Sequence, residues 1–276
     1  TRDVPAGYYQ LHQNGIYHFK KKNYQVESIV KTQNGANAYL KKSDEIQKRT
    51  IPIVKTSLTQ ISEEKSIKKE IKSKMKKITV RYGLIDMSRT ITGYLKGNYN
   101  DSADKFETIN GDSISTWNNF NWNSKHYCTS IFIPSEFGTK IKSDVKNSIV
   151  TDSKIHTITH VLVNASKILT KSESNDIDAY YEDGVIHLFD NTSDGYNGCS
   201  KMIYENFEKI MDTCFDLVNE CDCPVDPKQK KVVSEGEEWG GCPKCTFTTN
   251  YCQTKNKKLS KKGALDFFSI FYRELK

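Results

Sequence analysis

Five of the eight cysteines fall between Cys221 and Cys252, and their spacing is that of metal clips. Cys221-Asp-Cys223 is one pair, and Cys242-Pro-Lys-Cys245 is the second, with Cys252 shortly after it. Zn²⁺ takes soft ligands at the corners of a tetrahedron, and two closely spaced cysteine pairs supply two corners each. An all-thiolate set leaves no corner for water, so such a metal holds structure and performs no hydrolysis. Gly240 and Gly241, just before the second pair, let backbone N–H groups approach the sulfurs. The ligand set is open at one point: C-x-C is a tighter chelate than C-x-x-C, and Cys252 is a substitute for Cys221 or Cys223. Cys128 and Cys214 sit in apolar patterns and read as core residues.

Other reactive groupings are weaker. His156 and His160 stand four apart on one helix face, but no carboxylate or cysteine joins them at motif spacing, so a hydrogen-bonded structural role is expected. Asp176, Asp178, Glu182 and Asp183 form an acidic run before a strand. Paired carboxylates serve Mg²⁺-dependent nucleases, but this run has the composition of a solvated turn. Neither a G-x-x-x-x-G-K-[ST] phosphate loop nor a G-x-G-x-x-G turn occurs, so no ATP site and no catalytic motif is visible in this chain.

The net charge is +7, and the excess is clustered. Lys65 to Arg81 holds eight basic residues against one acid, and Lys255 to Lys262 holds five with none. Such clusters are the footprint of phosphate-backbone contact. The candidates are Lys68, Lys69, Lys74, Lys76 and Lys77 in the first cluster and Lys257, Lys258, Lys261 and Lys262 in the second. Trp117, Trp122 and Trp239 are candidate surfaces for base stacking.

These residues need elements to hold them. Short aromatic and β-branched runs, from Gly15–Phe19 and Asn23–Val30 through Arg89–Tyr94, predict a β-rich half built as a small barrel or sandwich over residues 1–97. Residues 98–126 are rich in Asn, Asp, Ser and Gly and read as a linker or loop. Residues 127–276 read as an α/β half. It holds a strand at Tyr127–Pro134 and a helix over Ser153–Leu169 capped by Asp152 or Ser153. A strand at Val185–Asp190 and a long helix from Ser200 to Asn219 follow. The last helix is capped by Ser260 and turns Leu265, Phe268 and Tyr272 inward. The fold class is therefore α+β, with the four-Cys zinc site near the C-terminus. No run approaches 18 apolar residues, so no membrane helix is expected. With no export signal visible and cysteines in metal-clip pairs, a reducing cytoplasmic or nucleoid-associated setting is expected.

The order of these features resembles a known family: the MrfA-type zinc-binding domain, a C-terminal accessory domain of superfamily-two DEAD/DEAH-type helicases. Gly15-Ile-Tyr-His to Tyr24-Gln-Val is similar to its first hairpin, and Ile91-Thr-Gly-Tyr94 to a later strand. Ile133-Pro134, His160-Val-Leu, Asp176-Ile, Val185–Asp190 and Asp194-Gly195 follow in the family's order. The tail, Cys221-x-Cys223 through Gly241-Cys242-Pro-Lys-Cys245, Cys252, Asn256 and Leu259, is the most specific part. The chain departs in its longer spacer between Cys223 and Cys242, in its glycine turn, and in carrying no RecA-like motor. The resemblance implies a non-catalytic module that packs on a helicase motor, in cis or in a separate ATPase subunit, and guides single-stranded DNA. Repair and phage-defence complexes are the settings it implies. A scaffold subunit without DNA affinity of its own is the alternative.

Overall fold

The computed structural model describes residues 7, 10–33, 35–45, 47–61, 67–72, 77–101, 105–111, 120–134, 145–173, 175–192, 194–223, 242, 244–248 and 259–272. Of these, the side chains of 59–61, 67–72, 120 and 145–152 are not described. The strands among the described residues are β1 (Ile16–Phe19), β2 (Lys22–Thr32), β3 (Gly35–Lys42), β4 (Lys48–Ile61), β5 (Ile67–Lys72), β6 (Lys77–Asn98), β7 (Glu107–Asn110), β8 (Phe120–Phe132), β9 (Ile177–Glu182) and β10 (Val185–Asp190). The helices among the described residues are α1 (Val145–Thr170), α2 (Cys199–Glu205), α3 (Phe207–Asn219) and α4 (Lys261–Tyr272). The class is α+β, as the sequence implied.

β6 explains much of the organisation. Its inward residues alternate, Ile78, Val80 and Tyr82, and then slip by one to Ile85, Met87, Arg89 and Ile91. A strand has a period of two, so the slip changes which parity is buried. It lies beside the boundary between two compact units, residues 1–60 with 86–124, and 61–85 with 125–276. These units interleave along the chain. The region 98–126, composed like a linker, holds β7 and the start of β8. β7 is antiparallel to β6, with Gly93 opposite Asn110.

In the first unit, β1-β2-β3 form a three-stranded antiparallel sheet. Ile29 of β2 and Ala36 of β3 pack on Val54, Ile91 and Trp122, which come from β4, β6 and β8. The core there lies between two layers of strand, a small sandwich. Trp122 is a core residue, 8% exposed, and is no platform for bases. Trp117 and Trp239 lie outside the described residues.

The second unit carries the larger core. β9 and β8 flank β10, both antiparallel to it. α1 packs on β9, α3 and α4. α1 is buried nearly all round from Ile155 to Ser166, which makes it the central helix of the unit. It begins at Val145, eight residues before the expected start, because apolar periodicity marks where a helix is buried and not where its hydrogen bonds begin. Thr157 and Thr159 donate to the carbonyls of Ser153 and Ile155, so these hydroxyls are satisfied within the helix.

The expected helix from Ser200 to Asn219 is broken at Asn206 (φ −112°, ψ 30°). The Met202 carbonyl accepts the helical bond from Asn206 N–H and a second one from the Asn206 side-chain amide, a local bond that competes with helix propagation. In α4 the Gly263 N–H donates to Ser260 Oγ at 3.0 Å, the expected cap. The inward face is Phe267, Phe268 and Phe271; Leu265 is half-buried, and Tyr272 stacks on Phe215 with centroids 4.0 Å apart.

Candidate metal centre

Four thiols converge between the end of α3 and the start of α4. The Sγ atoms of Cys221, Cys223, Cys242 and Cys245 lie within 4.8 Å of one another. The individual separations are 3.8 Å for Cys221–Cys242, 3.6 Å for Cys221–Cys223 and 3.9 Å for Cys223–Cys245. A tetrahedron with Zn–S bonds of about 2.3 Å has edges of about 3.8 Å. The spacing therefore fits a single Zn²⁺, and it is far too long for S–S bonds. Cys252 lies outside the described residues.

Each half of the cluster has its own local support. Cys221 and Cys223 follow directly on α3, whose last turn closes through Glu220 N–H to the Asp216 carbonyl. Cys242 and Cys245 form a knuckle. Thr246 and Phe247 N–H both donate to the Cys242 carbonyl at 3.0 Å, and Cys242 N–H donates to Thr246 Oγ1 at 2.6 Å. Lys244 N–H donates to Cys242 Sγ at 3.4 Å, the approach of amide to sulfur that stabilises a thiolate. Burial raises the Cys242 pKa, but that amide and the neighbouring sulfurs bring it down to about 7. Cys242 and Cys245 are buried, and Cys221 and Cys223 half-buried.

The knuckle is held by a polar stripe on α1. His160 Nδ1 is 3.0 Å from the Thr246 carbonyl. One turn on, Asn164 Nδ2 donates to the carbonyls of Phe247 (2.8 Å) and Cys245 (3.3 Å). One turn back, Thr157 Oγ1 accepts from Ser260 N–H at 2.7 Å. Positions 157, 160 and 164 share one face of the helix, so one row of side chains fixes both the knuckle and the start of α4. His160 thus has the hydrogen-bonded structural role expected of the pair, and the ring of His156 lies 4.3 Å from its own.

Lys261 belongs to this centre. It is 7% exposed, and its ammonium donates to Cys223 Sγ at 2.7 Å and to the Cys221 carbonyl at 3.5 Å. Burial works against its charge, yet Cys223 and the sulfur charges of Cys245 and Cys221 outweigh it, and its pKa is raised. A Zn²⁺ with four thiolates carries two net negative charges, and one buried cation beside it offsets part of them. The expected contact of Lys261 with a phosphate backbone needs a solvent-facing ammonium, which this position does not give.

The other candidate lysines that are described lie on β5, β6 and α4. Lys262 is exposed on α4, and Lys77 is exposed at the start of β6. Lys68 and Lys69 occupy β5, opposite Arg81 and Val80 of β6. Lys74, Lys76, Lys257 and Lys258 lie outside the described residues.

The acidic run does not assemble a metal site among the described residues. Asp176 accepts from Glu173 N–H. Asp190 is fully buried, and its carboxylate accepts from the N–H groups of Ser200 (2.6 Å), Asn197 (3.0 Å) and Gly198 (3.1 Å). It caps α2 and fixes the preceding turn. Gly195 has φ 72° there, and a Cβ at that position would lie 1.8 Å from the Lys125 carbonyl oxygen, so only glycine fits. Sequence reading missed the Asp190 cap, the Asn164 bonds and the Lys261 contact. For the first two, signals exist: an Asp just before a helix-opening turn, and polar residues at helical spacing along an apolar helix.

Comparison with known proteins agrees with this geometry. Residues 158–246 match the family model described as the MrfA Zn-binding domain. A protein of Methanocaldococcus jannaschii, itself described as uncharacterised, is 27% identical over 121 residues, covering 40% of this chain and 93% of that protein. In fold, the chain is similar to a crystal structure of the DUF1998 helicase MrfA bound to DNA, with TM-score 0.52 and 18% identity over 96% of this chain. It spans 31% of that helicase chain. A four-cysteine cluster of tetrahedral dimensions inside the segment that matches a Zn-binding family model makes the implied cofactor structural zinc. Residues 158–246 are thus similar in sequence to the MrfA Zn-binding domain and carry all four cysteines of the cluster.

Proposed function

We propose that this chain is a non-catalytic accessory module of a DNA helicase, that it packs on the motor, and that it guides a single strand leaving it. In this reading Cys221, Cys223, Cys242 and Cys245 are the zinc ligands, and the metal fixes the helices on which the module depends. The observation that carries the reading is the four-thiol cluster clipped to α1 within the Zn-binding segment. The likeness of fold to a helicase solved with DNA supports the choice of partner. Among the lysines, the β5–β6 hairpin favours backbone contact. Lys68 is opposite Arg81 and Lys72 opposite Lys77, which places four basic positions on one face. Lys262 is the corresponding solvent-facing position on α4. The setting, a cytoplasmic repair or defence complex, belongs to the same proposal.

The test is binding of a labelled single strand across a salt series. Backbone tracking requires log affinity to fall linearly with log salt, by about 0.7 per phosphate neutralised on a single strand. A flat response sinks it.

A second reading has its own support. The M. jannaschii relative is matched over 93% of its length, which leaves no room in it for a motor. On that basis the module is a scaffold subunit whose ATPase acts in trans. Co-purification with a separate ATPase, without affinity for free DNA, favours it.

A further inference from the structure

The β1–β2 hairpin turns on Lys20 and Lys21, with φ 47° and 63°. Phe19 is opposite Lys22, so these two residues are the whole loop. A two-residue turn with positive φ at both positions ordinarily takes Asn-Gly, because other side chains crowd the backbone there. A lysine is disfavoured in this conformation, because its Cβ crowds the following carbonyl oxygen. Backbone strain kept at a surface tip points to a use for the side chains.

The surroundings indicate the use. Tyr17 is opposite Tyr24, Phe19 opposite Lys22, and Tyr24 opposite Lys42, so all five share one face of the sheet. The Tyr17 and Phe19 rings are nearly parallel (12°), with centroids 6.2 Å apart. Phe19 is 46% exposed. The Lys20 ammonium lies 5.4 Å from the centroid of its ring. Lys20, Lys21, Lys22, Lys41 and Lys42 are all exposed. Glu45, an acid of the same region, is paired with Lys96 at 2.8 Å. Flat apolar rings bordered by ammonium groups match a polyanion with stacking bases better than they match an acidic protein surface, which offers no partner for the rings.

We propose that the β1–β2 hairpin tip binds single-stranded nucleic acid, with Phe19 and Tyr17 stacking on bases and Lys20, Lys21, Lys22 and Lys42 contacting phosphates. This rests on the reading of the chain as a single-strand guide and adds a surface to it, distinct from the β5–β6 hairpin and from the zinc centre.

The experiment uses the full chain, a fluorescent oligo-deoxythymidine, and anisotropy across a salt series. The double variant K20N/K21G installs the turn's preferred residues. It is expected to melt at a higher temperature than the wild type while its affinity falls several-fold. Its log–log salt slope should shrink by about 1.4, the share of two phosphate contacts. Phe19→Ala is expected to lose roughly fivefold or more in affinity with the slope unchanged, the signature of a lost stack. A K20N/K21G chain that is folded and binds with wild-type affinity and slope overturns the hairpin site. It leaves the guiding role standing, because the wild type still binds. A wild type with no affinity at any salt overturns both. A Phe19→Ala chain equal to wild type overturns the stacking half.

Discussion

His160 Nδ1 stands 3.0 Å from the carbonyl oxygen of Thr246, 86 residues further along the chain. Both residues are buried, so the bond is shielded from competing water. With Asn164 it joins the central helix to the knuckle that carries Cys242 and Cys245. His160→Ala leaves that carbonyl unpaired, at a cost of about 1–3 kcal/mol. A lower melting temperature and faster zinc loss are expected together. Because Asn164 serves the same backbone segment, the double variant His160→Ala/Asn164→Ala should cost measurably more or less than the sum of the singles. Additivity within error would mean the two residues do not act as one clamp.

Metal content checks the ligand set. One zinc per chain is expected by elemental analysis of pure protein, and Cys242→Ser or Cys245→Ser should abolish it and unfold the Zn-binding domain. Cys252→Ser is expected to keep its zinc, because four sulfurs already stand at tetrahedral separations without it. Loss of zinc in the Cys252 variant would reassign a ligand.

Lys261 gives a prediction about rate. Lys261→Met keeps the length and apolar stem of the side chain but removes the charge beside Cys223. Zinc should still bind, yet a chelator should strip it on the order of 10–100-fold faster, the usual scale for lost support around a metal ligand. Alkylation of the thiols should quicken as well. Lys261→Arg restores the charge and should recover most of the difference. If Lys261→Met behaves as wild type in both assays, the ammonium contributes nothing to the centre.

Acid sensitivity follows from the buried histidines. Burial lowers the pKa of His12 to about 4 and that of His187 to about 4, from 6.5. His187 Nδ1 is held at 2.9 Å by Ser130 Oγ in the strand core. The unfolded chain takes up these protons near pH 6.5 and the folded chain does not. The stabilisation is therefore complete above about pH 6.5 and drains away as pH falls toward 4. Each histidine contributes about 3 kcal/mol across that window. The measurement is the slope of unfolding free energy against pH. His187→Gln is expected to flatten it, whatever the variant does to stability at neutral pH. An unchanged slope would exclude His187 as a source.

The zinc pairs were legible because their signal is local: two cysteines at short spacing carry their meaning wherever they stand. The hairpin of Gly15–Val30 and the strand at Val185–Asp190 were legible for the same reason. The failures share a different origin. Arg89–Tyr94 reads as a short strand of its own, since nothing in a sequence window shows that it is the end of β6, which runs through a phase slip at Tyr82-Gly83. Lys261 reads as part of a basic tail, because its burial depends on Cys223, 38 residues away. Trp122 reads as available to bases, and only the packing of β2 and β3 over it shows a core residue. In α4 Phe268 faces inward as expected, but Leu265 and Tyr272 stand at the edge of the face, a distinction that the apolar run of Phe267, Phe268, Ile270 and Phe271 does not resolve.

The polar stripe of α1 has a consequence for the segment between Cys223 and Cys242. Both ends of that spacer are anchored, one by α3 and the other by His160 and Asn164, and zinc closes the ring between them. Closure entropy grows only with the logarithm of loop length, so doubling the spacer costs about 0.6 kcal/mol. The interval between the two cysteine pairs is therefore expected to tolerate a change of length. It is where a relative would gain or lose residues at little thermodynamic penalty, and where an inserted fluorophore or affinity tag should leave the metal in place.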